Sequence, residues 1–228
     1  FGFSRPGNNF HDVSTNRDRD WSLLLAFHPN FCILKTMESK IKNLLHELEK
    51  TKEIFWNISP EVGKFLNLLI KDRKYKTILE IGTSNGYSGI WLAEALKKTK
   101  GHLYTMESNL KKRYPIAVNN FKKSGLSTYI TTILGHAPEN IPKTPKIFDL
   151  IFFDATKEEH LEYFEALKCR VKRGGIIITD NIISHKKELK NFIKTLENLP
   201  SWHSIILNIG SGLMLSIREP RAGLKSRF

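Results

Sequence analysis

Residues 75–87 read YKTILEIGTSNGY, and this stretch decides the fold. Thr77–Ile81 is a short run rich in branched apolar residues, the composition of a buried strand. Gly82 then permits a tight turn, and Gly86 lets the backbone approach a ligand closely before a helix that starts near Tyr87. Downstream the same alternation recurs. HLYTMES (102–108), YITTILG (129–135), FDLIFFDA (148–155) and GGIIITDN (174–181) are apolar strands. Helical stretches reach about Lys98, Ser124, Lys172 and Asn198, with only a short connection after YITTILG. Near-continuous apolar strands alternating with helices predict a parallel sheet covered on both faces. The end differs: SIILNIGSGLMLSI (204–217) reads as two strands joined at Gly210-Ser211-Gly212, an antiparallel hairpin.

Upstream, MESKIKNLLHELEK (37–50) places Ile41, Leu44, Leu45 and Leu48 at helical spacing. ISPEVGKFLNLLIKD (58–72) repeats the pattern behind Ser59-Pro60-Glu61, a suitable N-cap, first-turn proline and first-turn acid. Residues 1–36 are different in character: a polar, aperiodic stretch and then WSLLLAFHPNFCILKT (21–36), an apolar patch broken by Pro29. The order of elements is poor for a signal peptide. The expectation is therefore a natural start at Met37 behind a translated upstream or added leader, or alternatively an N-terminal arm that packs on a partner subunit. One domain spans 37–218, and EPRAGLKSRF (219–228) forms a loose basic tail. A length of 228 residues suits one well-buried domain.

The composition, with 40% hydrophobic and 26% charged residues, is that of a globular chain. No apolar run approaches the roughly 20 residues of a membrane helix. Cys32 and Cys169 form no CxxC or Cys/His cluster, so free thiols in a reducing, cytoplasmic compartment are expected rather than a disulfide or zinc scaffold. The net charge of +13 is met by two readings: solvated lysine-rich helix faces, or attraction of a polyanion such as RNA. The lysines are spread along the chain, and no aromatic-interleaved basic stripe stands out.

Ligands of open α/β sheets bind beyond the carboxyl ends of the strands. The spacing Gly82…Gly86 is not the GxGxxG of dinucleotide sites. With Glu80 two residues ahead, it fits a ligand that lacks a pyrophosphate and carries an ammonium group. Glu107, at the end of the second strand, can take both ribose hydroxyls of an adenosine ligand; a plain surface acid is the alternative. The third strand ends in Leu134-Gly135-His136-Ala137, where the backbone and His136 can border an adenine ring. Strands four and five end in Asp154 and in Asp180-Asn181. If the two strands are neighbours, their ends lie about 5 Å apart, and two carboxylates with an amide oxygen suit Mg²⁺. Helix capping is the competing use of Asp and Asn there. Lys157 sits in the first turn of the next helix, where a cation opposes the dipole. A nearby metal ion and that dipole favour its neutral form, able to take a proton from a hydroxyl; an exposed lysine in a lysine-rich chain is the alternative. His160 and His185 are the other conceivable bases and read as surface or strand-end histidines.

These residues carry a resemblance. LEIGTSNGYS, LYTMES, IFFDATK, GGIIITDN and GSGLMLS, spread over about Ser59 to Ile217, resemble the class I S-adenosylmethionine-dependent O-methyltransferases of the catechol and caffeoyl-CoA type. The resemblance implies a Rossmann-like, seven-stranded sheet with an antiparallel last strand. It implies cofactor contacts at Glu80, Gly82, Ser84, Gly86 and Ser88, ribose binding by Glu107, and adenine contacts near His136 and Ala137. Asp154, Asp180 and Asn181 fall on the family's metal ligands, Asp154 also near the methionine part of the donor, and Lys157 on its catalytic lysine. The implied reaction is direct methyl transfer to a hydroxyl of a small, phenolic-type acceptor, assisted by Mg²⁺, in a protein that often dimerises. Methylation of a hydroxylated tRNA base, known for some bacterial relatives, is the nucleic-acid alternative. A non-catalytic nucleotide-binding module is a third, which the presence together of Asp154, Lys157, Asp180 and Asn181 argues against. SWHSIILNIGSG carries no acid where catechol-type members place one, arguing against a simple catechol acceptor. His136-Ala137-Pro138 lacks the usual polar adenine contacts, and IISHKKEL differs from the usual family loop.

Overall fold

The computed structural model describes residues 37–220, so the leader before Met37, Cys32 and most of the basic tail lie outside the described residues. Helices α1 (Ser39–Glu49), α2 (Lys52–Phe55) and α3 (Pro60–Arg73) precede the sheet. Then β1 (Thr77–Ile81), α4 (Tyr87–Thr99), β2 (His102–Glu107), α5 (Arg113–Ser124), β3 (Ile130–Leu134) and α6 (Ala137–Asn140) follow. The remainder is β4 (Phe148–Phe153), α7 (His160–Leu167), β5 (Val171–Thr179), α8 (Lys190–Glu197), β6 (Trp202–Leu207) and β7 (Leu213–Arg218).

The seven strands form one sheet in the order β3-β2-β1-β4-β5-β7-β6. The first five are parallel, and β7 runs antiparallel to both β5 and β6. The predicted architecture is therefore present, hairpin included. The last hairpin slots its second strand beside β5, leaving β6 at the edge.

Strand alternation divides the core. Ile78, Leu103, Leu150, Phe152 and Ile178 face α1, α3, α4 and α5, with Trp91 and Phe121 among the side chains that cover them. Leu79, Ile81, Ile151, Phe153 and Ile177 face α7 and α8, covered by Phe164, Phe192 and Trp202. Glu80 shares the parity of Ile78 and so points under α4. Ser59 caps α3 as expected, accepting from the Val62 N–H at 3.4 Å with Pro60 at the first turn.

Two helices are shorter than their sequence periods predict. The helix expected to run to Lys172 ends at Leu167 and passes through one 3₁₀ turn into β5, which already starts at Val171. The stretch after Asn181 makes successive turns before α8 begins at Lys190. In both places charged residues keep a helical rhythm, while the backbone turns to reach the next packed segment.

Candidate active site

A cleft of about 850 Å³ opens beyond the carboxyl ends of β1–β5. Its floor is the loop after β1. Gly82 has φ +103, and a Cβ there would lie 2.1 Å from the Asp154 carbonyl oxygen, so the crossing of the β1 and β4 ends admits only glycine. At Gly86 (φ +86) the close neighbour is the Phe121 ring, at 2.8 Å from an added Cβ. The tight approach expected there for a ligand is made to the helix α5 instead.

Of the residues predicted for the site, Gly82, Ser84, Glu107, His136, Ala137, Asp154, Lys157 and Asn181 line the cleft. Glu80, Gly86, Ser88 and Asp180 do not; Asp180 is buried directly behind Asn181. Glu80 is completely buried beneath the loop, where Thr105 Oγ1 donates to its Oε2 at 2.6 Å, and the Thr83 and Thr105 hydroxyls lie 2.6 Å apart. Its Oε1 has no partner. Burial pushes its pKa up to about 7. Hydrogen bonds from Ser88 and Thr105 oppose the rise, and the charges of Asp154 and Glu107 add to it.

At the β2 end Glu107 is buried, and each of its oxygens holds one backbone N–H. Ser84 donates to Oε2 and Asn109 to Oε1, both at 2.8 Å. A carboxylate oxygen accepts more than one hydrogen bond, so both oxygens can still receive hydroxyls from the cleft side. Ser84 stands at φ +50, and its hydroxyl donates to the Phe55 carbonyl at 2.8 Å. The preceding helices are thereby tied to the loop, together with Asn85 Nδ2 to Thr51 Oγ1 (3.2 Å) and Tyr87 OH to Glu49 (2.9 Å).

At the β3 end His136 Nε2 lies 2.9 Å from Glu159 Oε2, the oxygen to which the Tyr163 hydroxyl also donates. The hydrogen bond to Glu159 raises the His136 pKa. Burial, then the same carboxylate, raises that of Tyr163, which also lines the cleft.

The β4 and β5 ends carry the other cluster. Phe153 and Thr179 are register partners, so the next residues, Asp154 and Asp180, emerge side by side, the Asp180 N–H donating to Phe153 O at 3.0 Å. Asn181 follows at φ +65. Lys157 Nζ is 3.2 Å from Asp154 Oδ1, and both side chains are largely buried. Asp180 Oδ1 is buried without a partner. Burial, and next the Asp154 charge, push the Asp180 pKa up to about 7. Among the described residues no group of three or more His, Cys, Asp or Glu side chains is arranged to hold a metal. The trio Asp154, Asp180 and Asn181, with its amide oxygen, nevertheless fits a hard divalent cation. It is all-oxygen, it crowds two carboxylates, and one buried oxygen has no other partner.

Of the two histidines considered as bases, His185 borders the cleft with Ser184 Oγ 3.0 Å from its Nδ1. The expected surface position fails for His160. It is fully buried among Phe153, Tyr163 and Phe192, its Nδ1 donates to Thr156 O at 2.8 Å, and burial lowers its pKa to about 4. Sequence reasoning missed Phe55, Trp56 and Arg113, which wall the β1–β2 side. Trp56, an aromatic between the two amphipathic stretches and outside the apolar period of both, is the one signal the sequence offers.

The fold is Rossmann-like, and its cleft joins the buried strand-end carboxylate of Glu107 to an acidic, lysine-bearing cluster at the β4 and β5 ends. The family profile described as O-methyltransferase matches residues 35–218, and the chain belongs to that family. It is 38% identical over 137 residues to a catechol O-methyltransferase of Niastella koreensis, covering 58% of this chain and 61% of that protein. To caffeoyl-CoA O-methyltransferase 1 of Zea mays it is 34% identical over 144 residues, covering 59% and 55%. The match thus spans little more than half the length of these curated relatives. An O-methyltransferase from Bacillus cereus, solved in complex with SAH, superposes with a TM-score of 0.71 at 26% identity, over 83% of this chain and 95% of that one.

Proposed function

We propose that the protein transfers a methyl group from S-adenosylmethionine to a hydroxyl of a small, phenolic-type acceptor, with a divalent cation, Mg²⁺ by its ligand chemistry, held by Asp154, Asp180 and Asn181. The observation that carries this reading is the convergence of Glu107 and the Asp154–Lys157 pair on one cleft. The relatives' names and the SAH-bound neighbour support it.

Glu107 holds the ribose hydroxyls, and the loop from Gly82 to Ser84 underlies the donor. Gly82 and the buried Glu80–Thr105–Thr83 chain keep that floor in place. His136 and Ala137 border the adenine. A cation at the acidic trio supplies Lewis-acid activation of the acceptor hydroxyl. Lys157 Nζ, within reach of Asp154, takes the hydroxyl proton. The acceptor oxygen forms its bond to the methyl carbon as the carbon–sulfur bond breaks, and the sulfonium leaves as a neutral thioether. Charge is lost at sulfur along the way, so walls that exclude water favour the step.

Transfer of labelled methyl from S-adenosylmethionine to a phenolic library and to total tRNA, each with Mg²⁺ and with excess chelator, tests the reading. Label on phenols that disappears with chelator is expected. Labelling of tRNA alone would move the acceptor to the nucleic-acid class, to which the net charge of +13 is suited. Full activity in chelator would remove the cation.

A further inference from the structure

Two side chains meet across the β1–β2 side of the cleft. Trp56 directly follows α2 with φ +56 and is 72% exposed. A bulky aromatic rarely adopts the left-handed region, and such a conformation persists where the surroundings impose it. Arg113, the first residue of α5, places its guanidinium 4.8 Å from the Trp56 ring centroid. Both line the cleft beside Glu107 and Ser108.

The two halves of this pair are both referred to Glu107. On one side Glu107 Oε2 accepts the Ser84 N–H, and the Ser84 hydroxyl donates to the carbonyl of Phe55, the residue before Trp56. The Trp56 N–H closes α2 on Lys52 O at 2.7 Å, which sets the direction in which the indole leaves the helix. On the other side Glu107 Oε1 accepts the Asn109 N–H, and Asn109 Oδ1 accepts the Lys112 N–H at 3.0 Å, next to Arg113. Each oxygen of the ribose-binding carboxylate therefore positions one partner of the stacked pair.

We infer that Trp56 and Arg113 form a clasp over the nucleoside end of the donor and set how long the donor and its demethylated product remain bound. This rests on the reading of Glu107 as the ribose ligand. The pair joins opposite walls, one from α2 ahead of β1 and the other from α5 behind β2, so a nucleoside seated on Glu107 leaves only when the indole and guanidinium separate. Binding of the nucleoside excludes water from the pair, and a cation–aromatic contact strengthens when desolvated.

The test measures S-adenosylhomocysteine affinity by calorimetry and its dissociation by stopped-flow displacement. The proteins are wild type, Trp56→Ala, Trp56→Phe, Arg113→Ala and Glu107→Ala, with folding checked by circular dichroism and Tm. Trp56→Ala and Arg113→Ala are expected to release the ligand about fivefold to tenfold faster and to weaken Kd in step, while Trp56→Phe keeps most of the wild-type retention. A donor-induced change in tryptophan fluorescence should vanish in Trp56→Phe. Wild-type Kd and dissociation in both alanine variants, alongside weakened binding in Glu107→Ala, overturn the clasp and leave the ribose site standing. Wild-type binding by Glu107→Ala overturns both.

Discussion

The two ends of the cleft are built on opposite principles. At Glu107 the carboxylate is buried but satisfied, each oxygen holding a backbone N–H that also fixes a neighbouring turn. At Asp154 and Asp180 two carboxylates crowd together, one oxygen has no partner, and the Asp180 pKa is pushed to about 7 by burial and by its neighbour. The first end is pre-organised, and a ligand adds bonds without rearranging it. The second sets two carboxylates against the single Lys157 ammonium, and a bound cation or a proton on Asp180 would offset the remaining charge. On the proposed function, donor binding and chemistry would thus be separated along one strand row.

The sharpest break of that contrast is Asp180→Ala. Removing a ligand of the Lewis-acid site should lower Mg²⁺-dependent turnover by on the order of a thousandfold while leaving donor affinity in calorimetry largely intact. Turnover within a few-fold of wild type would show that the acidic end is not a cation site.

Glu80 lies between the two ends, and its response to pH tells whether it belongs to the charged one. Its folded pKa of about 7 stands above the ordinary value of 4.5, so the folded protein keeps a proton that the unfolded chain loses. The stability that this carboxyl contributes is therefore full below about pH 4.5 and is lost as pH rises to about 7. Relative to wild type, Glu80→Gln should gain stability across that window, on the order of 3 kcal/mol at pH 8, measured by urea unfolding. A difference that does not vary with pH would mean that Glu80 is ionised in the folded state.

Glu107→Ala should weaken S-adenosylmethionine binding by about 2 kcal/mol, the cost of hydroxyls left unpaired in a buried site, with little effect on acceptor KM. An unchanged donor Kd would refute the ribose role. The smallest effect is expected for Ser84→Ala, which frees the Phe55 carbonyl and should cost about 1 kcal/mol of stability. Faster amide exchange in residues 51–57, and not around Asp154, would place the loss at the satisfied end.

Much of this was legible in the sequence because the relevant signals are local. The apolar strand runs, the turn glycines and the strand-terminal Glu107, Asp154 and Asp180-Asn181 sit where strand ends must bring them, and parallel neighbours deliver them to one rim. Glu80 was misplaced because adjacency to a glycine loop says nothing about which face a strand residue takes; its parity with Ile78 turns it under α4. His160 read as a surface residue because its neighbours in sequence, Lys157 to Glu162, are mostly charged, whereas its ring packs against Phe153 and Phe192 from other elements.

The sequence by itself determined the alternation of strand and helix, the reversed terminal hairpin and the identity of the strand-end acids, since each is set by periodicity or by residues within one turn of each other. Only the tertiary structure decided which of these side chains share the cleft, that Gly86 answers to Phe121, and that Trp56 meets Arg113. Those contacts join residues tens of positions apart, and their geometry follows from how helices pack on the sheet rather than from any local pattern.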